Sequence, residues 1–392
     1  MSAYPAKARP EVSALGSSRI RDIANAGMGR DDIVPFWFGE SDLATPDFIR
    51  EAAQQALAGS RTFYTHNLGL IELREAIAAY ATRLHGITLS PQRVAVTGSG
   101  VSALMIADQL LVSPGDRVVV MTPIWPNIAE APRLLGASVV RHPLEISNGR
   151  WTLNLDKLLH ALTPDTRLLI LNAPNNPTGF TLDSASQRTI LEHCRKHGIW
   201  LLADDVYERL VFDGSAAAPT FLAHAEPDDR LIAVNSFSKA WRMTGWRLGW
   251  LTLPTALMPD VAKVIEYNTS CVPAFVQAGG IAALSDPRGE EAVNKLKADL
   301  DAARTLLLDG LQALGRIEVP RADGAMYAFL RIEGMPDDME VAKALVARHG
   351  LGLAPGSAFG PEGEGWLRWC YAARPEKLSR GLERLERFLQ TV

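Results

Sequence analysis

Short apolar segments alternate with helical segments through the middle of the chain, and this alternation is what most constrains the fold. The apolar segments are residues 94–97, 118–121, 138–140, 168–171, 199–203 and 231–234. Strands without a polar face are typical of a parallel sheet that helices cover on both sides. The sequence therefore predicts an α/β fold whose large domain is a three-layer, mostly parallel sheet.

The pattern changes after Pro287, where apolar residues recur every three or four positions and predict one long helix. Further strands are predicted at residues 325–332, 351–354 and 366–371, and helices at residues 339–349 and near the end of the chain. We expect an N-terminal arm with part of a small domain at residues 1–60, a large domain at 61–285, and a smaller α/β domain at 286–392.

Composition argues against several classes of partner. The chain has 392 residues, a formal net charge of −4 and no basic tract, so neither nucleic acid nor a membrane surface is expected. No stretch has the ~18 apolar residues of a membrane span, and residues 1–11 lack the apolar run of a signal peptide. Three widely spaced cysteines form neither a disulfide framework nor a metal motif, which favours a reducing cytoplasm and no metal site.

Polar residues follow three of the predicted strands. Asn176, Asp204 and Lys239 each come just past a strand end, at the sheet edge where ligands bind in parallel α/β folds. Lys239 is a candidate covalent nucleophile if burial or a nearby cation lowers its pKa. Arg247 could be that cation, or could hold a phosphate. A surface loop with one lysine is the alternative.

Glycines lie between a predicted strand and helix in the segment Gly-Ser-Gly-Val-Ser-Ala at residues 98–103. Such a turn presents backbone N–H groups to an anion. The segment also fits the dinucleotide fingerprint, which needs an acid about 20 residues further on. Residues 121–124 contain no acid, so the sequence favours a single phosphate over a nicotinamide dinucleotide.

Three residues each allow two interpretations. Trp125 either packs in the core or stacks on an aromatic cofactor. Asp204, three residues before Tyr207, is either a helix cap or the partner of a protonated ring nitrogen. Arg368, between apolar neighbours in a strand, pairs either with a protein carboxylate or with that of a ligand.

Taken in order, these segments resemble the fold-type I pyridoxal-phosphate enzymes, specifically the class I and II aminotransferases. The resemblance runs from about residue 30 to the end of the chain, through residues 39–42, 64–69, 97–100, 175–179, 204–207, 236–239, 243–247, 355–360 and 366–368. Two positions depart from the common pattern. Ser41 stands where many relatives have Pro, and Trp125 where many have Tyr.

The resemblance implies roles around the cofactor ring. Lys239 would form the Schiff base with pyridoxal 5′-phosphate and, once released, carry the proton between the substrate Cα and the cofactor. Asp204 would keep the pyridine nitrogen protonated. Tyr207 and Asn176 would bond the phenolic oxygen and help lower the pKa of the Schiff base, and Trp125 would stack on the ring.

The resemblance also implies the phosphate and substrate ligands. The phosphate would be held by Ser99, Gly100, Val101, Ser236, Ser238 and Arg247. Arg368 would bind the substrate α-carboxylate, with backbone at Gly39 and the side chain of Asn176 nearby. Tyr64 would reach the phosphate of the partner subunit, so the resemblance implies a homodimer with shared sites and the fold of aspartate aminotransferase.

The sequence thus predicts a transferase of amino acid metabolism, which moves an amino group from an L-amino acid to a 2-oxo acid by a ping-pong mechanism. A pyridoxal-phosphate lyase or decarboxylase would use the same cofactor residues and stays an alternative. A nicotinamide oxidoreductase lacks its ribose-binding acid, and a non-catalytic ligand-sensing domain would leave Lys239 unexplained. Phe36, Trp37 and Trp125 favour an apolar amino donor.

Overall fold

The computed structural model describes residues 6–392. Its strands are β1 (Val34–Pro35), β2 (Val94–Thr97), β3 (Arg117–Thr122), β4 (Ser138–Pro143), β5 (Glu145–Ser147), β6 (Arg150–Thr152), β7 (Thr166–Asn172), β8 (Trp200–Asp204), β9 (Leu231–Ser236), β10 (Gly249–Thr252), β11 (Ile317–Glu318), β12 (Tyr327–Ile332), β13 (Leu351–Gly352), β14 (Ala354–Pro355) and β15 (Trp366–Cys370). Its α-helices are α1 (Pro10–Ser13), α2 (Arg19–Gly27), α3 (Asp47–Ala58), α4 (Ile71–His85), α5 (Gly100–Leu111), α6 (Pro126–Leu134), α7 (Leu155–Ala161), α8 (Ser184–His197), α9 (Met258–Thr269), α10 (Ala274–Ser285), α11 (Pro287–Ala313), α12 (Asp338–Ala344) and α13 (Pro375–Leu389). Across this part of the chain, no helix has the length and apolar character needed to cross a membrane.

The main sheet of the described chain has the strand order β2-β10-β9-β8-β7-β3-β4. Strands β4, β3, β7, β8 and β9 pair in parallel. Strand β10 runs antiparallel to both of its neighbours, β9 and β2. The predicted α/β class with a mostly parallel sheet is confirmed, and β10 adds a reversed strand that the sequence did not predict.

Helices cover both faces of this sheet, because successive side chains of each strand point to opposite sides. Val118 and Val120 of β3 pack in one apolar cluster with helices α5 and α9. Val119 and Met121 of the same strand pack in a second cluster with α7 and α8. Each of these fully buried aliphatic side chains contributes about 1.5–3 kcal/mol to stability, so the two-sided burial stabilises the sheet that carries the site.

A second sheet, in the order β11-β12-β15-β14, consists of antiparallel pairs. Helices α11 and α13 pack against each other beside it. Strand β1 pairs in parallel with β13, which joins the N-terminal segment to these C-terminal elements. The strand predicted at residues 351–354 is two short strands, because β13 pairs with β1 whereas β14 pairs with β15. The boundaries at residues 60 and 285 stay a prediction.

Candidate active site

A cavity of about 440 Å³ lies at the carboxyl ends of β7, β8 and β9. The predicted site residues that line it are Gly39, Gly100, Val101, Trp125, Asn176, Asp204, Tyr207, Ser236, Ser238, Lys239, Arg247 and Arg368. Of the remaining predicted residues, Ser99 lies beneath the lining, and Tyr64 projects from the surface with 92% of its area exposed. The structure therefore brings residues from distant parts of the chain to one place.

Lys239 lies in the turn that follows β9, and its Nζ donates a hydrogen bond to the Gly39 carbonyl at 2.5 Å. The same nitrogen lies 5.7 Å from the centre of the Tyr207 ring. Burial lowers the pKa of Lys239 from 10.5 to about 8, and the charges of Arg368 and Arg247 act in the same direction. Part of the amine is therefore neutral near neutral pH and can act as a nucleophile or a base.

Asp204 is the last residue of β8, and only 2% of it is exposed. Its Oδ1 accepts a hydrogen bond from the Val206 N–H at 3.2 Å. The side-chain amide of Asn172 donates to the Asp204 carbonyl at 3.1 Å and fixes the end of the strand. Burial raises the pKa of Asp204 to about 7. A cation on a ligand would favour the charged carboxylate.

Tyr207 is paired with Tyr327, a residue that the sequence reasoning missed. The two hydroxyl oxygens lie 2.6 Å apart, and the ring centres are 5.7 Å apart. Burial raises the pKa of Tyr207 well above its ordinary value, so this hydroxyl stays protonated as a donor. A Cβ at position 39 would collide with the Tyr327 hydroxyl, which explains why Gly39 stands there.

Arg368 of β15 is held from several sides. Its Nη1 donates to Asn176 Oδ1 at 3.2 Å, and its Nη2 donates to the Trp37 carbonyl. The guanidinium lies between the rings of Tyr327 and Phe359, at 4.6 and 5.0 Å from their centres. Its buried Nε has no hydrogen-bond partner among residues 6–392. An unsatisfied buried donor is costly, so this group is suited to receive an anionic ligand.

The opposite end of the cavity has the chemistry of an anion site. Ser99 caps helix α5, since its Oγ accepts from the Ser102 N–H at 3.0 Å, and the first N–H groups of the helix follow at Gly100. The hydroxyls of Ser236 and Ser238 lie 3.0 Å apart. Arg247 is anchored through a hydrogen bond of 2.6 Å to the Thr244 carbonyl. A helix N-terminus, two hydroxyls and a guanidinium can together bind a phosphate.

Helix α2 also reaches the cavity, which the sequence did not predict. Ser18, Ile20 and Arg21 line it beside Phe38. The Arg21 guanidinium carbon lies 4.8 Å from the centre of the Phe38 ring. No local pattern marks Arg21 as a site residue, because β1–β13 pairing and other tertiary contacts bring its helix there.

Known proteins are similar to this chain in sequence and in fold. The family described as aminotransferase class I and II matches residues 31–385. The chain is 33% identical to an aspartate aminotransferase of Pyrococcus horikoshii, over 97% of this chain and 96% of that protein. It is 32% identical to aromatic-amino-acid aminotransferase 2 of Thermococcus litoralis, over 96% of each. A solved single mutant of Thermus thermophilus aspartate aminotransferase matches with a TM-score of 0.90 and 31% identity, over 98% of this chain and 100% of that one.

Proposed function

The chain belongs to the class I and II aminotransferase family, and from that premise we propose which of its residues carry out the reaction. It is a pyridoxal-phosphate-dependent aminotransferase, which moves an amino group from an amino acid to a 2-oxo acid. The relatives do not favour the lyase or decarboxylase alternative. The observation that best supports the assigned roles is that Lys239, Asp204 and Arg368 line one cavity.

The donor set of the cavity fits pyridoxal phosphate. The Lys239 amine would bond to the aldehyde carbon, and the Asp204 carboxylate would pair with the ring nitrogen. The Tyr207 hydroxyl and the Asn176 amide would bond the phenolic oxygen, and the Trp125 indole would cover one face of the ring. Among these groups, the buried Asp204 has the clearest need for a cationic partner, since burial raises its pKa to about 7 even though the Val206 N–H and the charge of Lys239 act to lower it.

The anion site fits the phosphate of the same cofactor. We assign it to backbone N–H groups and side chains of Ser99, Gly100, Val101, Ser236, Ser238 and Arg247. The turn is tightly packed, since a Cβ on Gly100 would lie 3.1 Å from the Ser236 Cβ. Ser99 contributes through the helix that it caps, because its hydroxyl is already bonded to Ser102.

The protein's own residues bind the substrate and move one proton. When bound, the cofactor supplies an electron sink for the charge left on the substrate Cα. Lys239, with its lowered pKa, takes the proton from Cα and holds it on Nζ. Arg368 binds the α-carboxylate through its fork of N–H groups. Tyr327 and Phe359 keep that guanidinium in place, and Trp37 and Phe38 provide an apolar part of the cavity wall.

We propose that the enzyme is a homodimer with shared sites. Phe63, Tyr64 and Tyr267 are 82%, 92% and 90% exposed in the single chain. Exposed aromatic side chains of this kind are typical of protein interfaces. Tyr64 would reach the phosphate in the partner's site rather than in its own. We also propose a cytoplasmic location, because the cysteines are free thiols, as in a reducing compartment.

The visible absorption spectrum of the purified protein tests the function. We expect a yellow cofactor band that bleaches when an amino donor is added without an oxo acid and returns when a 2-oxo acid follows. Lys239→Ala is the control and should bind cofactor without covalent linkage, so reduction with borohydride should leave the chain unlabelled. Release of ammonia or carbon dioxide, with no recovery on adding oxo acid, would contradict transamination.

A further inference from the structure

We propose that Arg141 is a positioning residue for the substrate, because it holds Phe359 against Arg368 and so sets the affinity for the α-carboxylate. The proposal rests on the role of Arg368 in the proposed function and adds to it the support on which that role depends. Arg141 lies in β4, a strand at one edge of the main sheet, and is not among the residues that line the cavity. It therefore acts on the site through other residues.

Arg141 forms a two-pronged ion pair with Glu362, which lies in the turn between β14 and β15. Its Nε donates to Glu362 Oε1 at 2.9 Å, and its Nη2 donates to Oε2 at 2.7 Å. Only 24% of the arginine side chain and 20% of the glutamate side chain are exposed. Parallel bonds between a guanidinium and a carboxylate fix the orientation of both groups, so this pair fixes the turn relative to the main sheet.

The carbonyl of Phe359 connects this ion pair to the site. It accepts a hydrogen bond from Arg141 Nη2 at 3.0 Å and a second one from the Ile124 N–H at 3.1 Å. Ile124 lies two residues after β3 and directly before Trp125, the residue assigned to the cofactor ring. The same carbonyl thus joins the support of the substrate arginine to the segment that covers the cofactor.

The ring of Phe359 carries this position to Arg368. Only 1% of Phe359 is exposed, and its ring centre lies 5.0 Å from the guanidinium carbon of Arg368. The ring also packs edge-on against Phe329, at 5.9 Å between the ring centres. The buried Nε of Arg368 has no hydrogen-bond partner among residues 6–392. The guanidinium therefore depends in part on the neighbouring rings for its position, and a shift of the Phe359 backbone moves it.

The glycine next to Phe359 shows that the turn is shaped around Arg141. Gly360 has a φ of +114°, in the region that residues with side chains rarely adopt. A Cβ at this position would collide with the Arg141 guanidinium and with the Glu362 carboxylate. A side chain there would therefore displace the guanidinium from the Phe359 carbonyl.

Arg141→Met removes the charge and the hydrogen bonds but keeps most of the length of the side chain. With the holoenzyme, we expect KM to rise roughly tenfold for the amino donor that the wild type uses best, since Arg368 loses its fixed orientation. KM for the 2-oxo acid should rise by a similar factor, because both substrates carry the same α-carboxylate. The kcat should change less than about threefold, because Arg141 contacts no reacting atom.

Two further variants separate the charge of Arg141 from its planar fork. Arg141→Lys keeps the charge but loses the fork, and should recover part of the affinity. Glu362→Gln removes the ion pair but leaves the bond from Arg141 to the Phe359 carbonyl, and should raise KM less than Arg141→Met does. If Arg141→Met does not fold, Glu362→Gln carries the test, with an expected rise in KM of about threefold.

Arg150→Met is the matched control. Arg150 also forms an ion pair with a carboxylate far along the chain, that of Asp323, and neither residue lines the cavity. We expect this variant to keep the wild-type KM for both substrates. Arg368→Met is the reference for loss of the α-carboxylate ligand, and its KM for both substrates should rise further than that of Arg141→Met.

A wild-type KM in Arg141→Met, or in Glu362→Gln where it carries the test, would overturn the proposal if KM is raised in Arg368→Met. An equal rise in Arg150→Met would also overturn it, and so would a rise for only one of the two substrates, which would place the effect on the substrate side chain. Failure of the proposed role of Arg368 would look different, since Arg368→Met itself would then keep the wild-type KM.

Discussion

The Lys239 ammonium loses its hydration where β9 and the segment around Gly39 close around it, and its pKa falls from 10.5 to about 8. The neutral amine is the form that attacks an aldehyde. We therefore expect the rate of cofactor attachment to the cofactor-free enzyme to rise with pH, to reach half of its maximum near pH 8 and to level off above about pH 9. Stopped-flow absorbance between pH 6 and 10 measures this rate.

The expected pH dependence follows from the lowered pKa, because Lys239 is half deprotonated at about pH 8, whereas an ordinary lysine is half deprotonated only near its pKa of about 10.4. Lysine acetylated on its α-amino group serves as the comparison in solution. The rate at which its side-chain amine reacts with the cofactor should continue to rise toward about pH 10. A rate that rises in parallel for protein and free amine would show that the fold does not activate Lys239.

Tyr327 contacts both a cofactor residue and a substrate residue of the proposed site. Its hydroxyl oxygen lies 2.6 Å from that of Tyr207, and its ring centre lies 4.6 Å from the guanidinium carbon of Arg368. Tyr327→Phe removes only the first contact. We expect kcat to fall roughly tenfold, because Tyr207 loses a buried hydrogen bond, while the KM for the amino donor changes little. The pH midpoint of the bound cofactor's absorbance should rise as Tyr207 becomes less well positioned.

Tyr327→Ala is the companion variant, because it also removes the ring beneath Arg368. Its KM for the donor should rise together with the loss in kcat. Identical kinetics for Tyr327→Phe and Tyr327→Ala would mean that the ring does not position Arg368.

Among the elements, β10 determines the shape of the phosphate turn. Gly249 pairs with Thr97 and Ser236, and a Cβ there would lie 2.6 Å from the Gly100 nitrogen and 2.8 Å from the Asn235 carbonyl. These are backbone atoms, which cannot rotate away. We expect Gly249→Ala to lower the free energy of unfolding by about 1–3 kcal/mol. Where the collision destabilises the cofactor-bound form more than the cofactor-free form, every ~1.4 kcal/mol of that difference weakens cofactor binding about tenfold.

Gly245→Ala is the matched control, because no atom outside its two neighbouring residues lies within 4 Å of a Cβ at that position. Thermal unfolding and cofactor titration of the two variants, measured side by side, separate the local collision from a general effect of alanine. Equal behaviour of both variants would show that the turn can move away from β10.

The strands of the parallel core were predictable because each contains a short, almost wholly apolar run. Strand β2, for example, has the predicted bounds, whereas β7 starts two residues earlier and ends one residue later than predicted, and β9 ends two residues later. Strand β10 escaped prediction because it follows the Lys239 loop directly, with no predicted turn or helical segment to separate it from that loop. Helix α10 escaped because it is apolar on all sides and so has no hydrophobic stripe to detect. Both elements acquire their structure from tertiary packing.

At the scale of the whole molecule, most of the predicted site residues meet in one cavity, because strand ends and turns carry them. Arg21 and Tyr327 were not predictable in the same way. Arg21 lies on a helix brought to the cavity by contacts between the two ends of the chain, and Tyr327 begins β12, which pairs with the strand of Arg368. Sequence patterns reveal local chemistry, whereas these two positions depend on long-range pairing.

The proposed dimer leads to a complementation test with two variants that are impaired in different ways. Tyr64→Phe should weaken cofactor binding, and Lys239→Ala should abolish turnover. In a mixed dimer, one site would combine an intact Lys239 with an intact Tyr64 from the other subunit. We therefore mix the two variants under conditions in which subunits exchange. We expect each mixed dimer to have one site with the wild-type cofactor affinity, and activity at limiting cofactor concentration measures it.

The alternative gives a distinct result. If Tyr64 served the site of its own chain, the only Lys239 in the mixed dimer would share its site with Phe at position 64, and the weak affinity would persist. Light scattering of the same samples reports whether dimers are present at all.

The pairing of β2 with β10 has a consequence for how the chain folds while it is being synthesised. Val96 emerges from the ribosome long before Trp250, its partner in the sheet. Until Trp250 has been made, β2 is an apolar strand that lacks its hydrogen-bonding partner. Bringing together two strands that are so far apart in the sequence is slow. The turn that binds the phosphate follows β2 directly, so a nascent chain cannot complete that turn until β10 has been made. A chain that stalls before Gly249 leaves this edge exposed to aggregation and to chaperones.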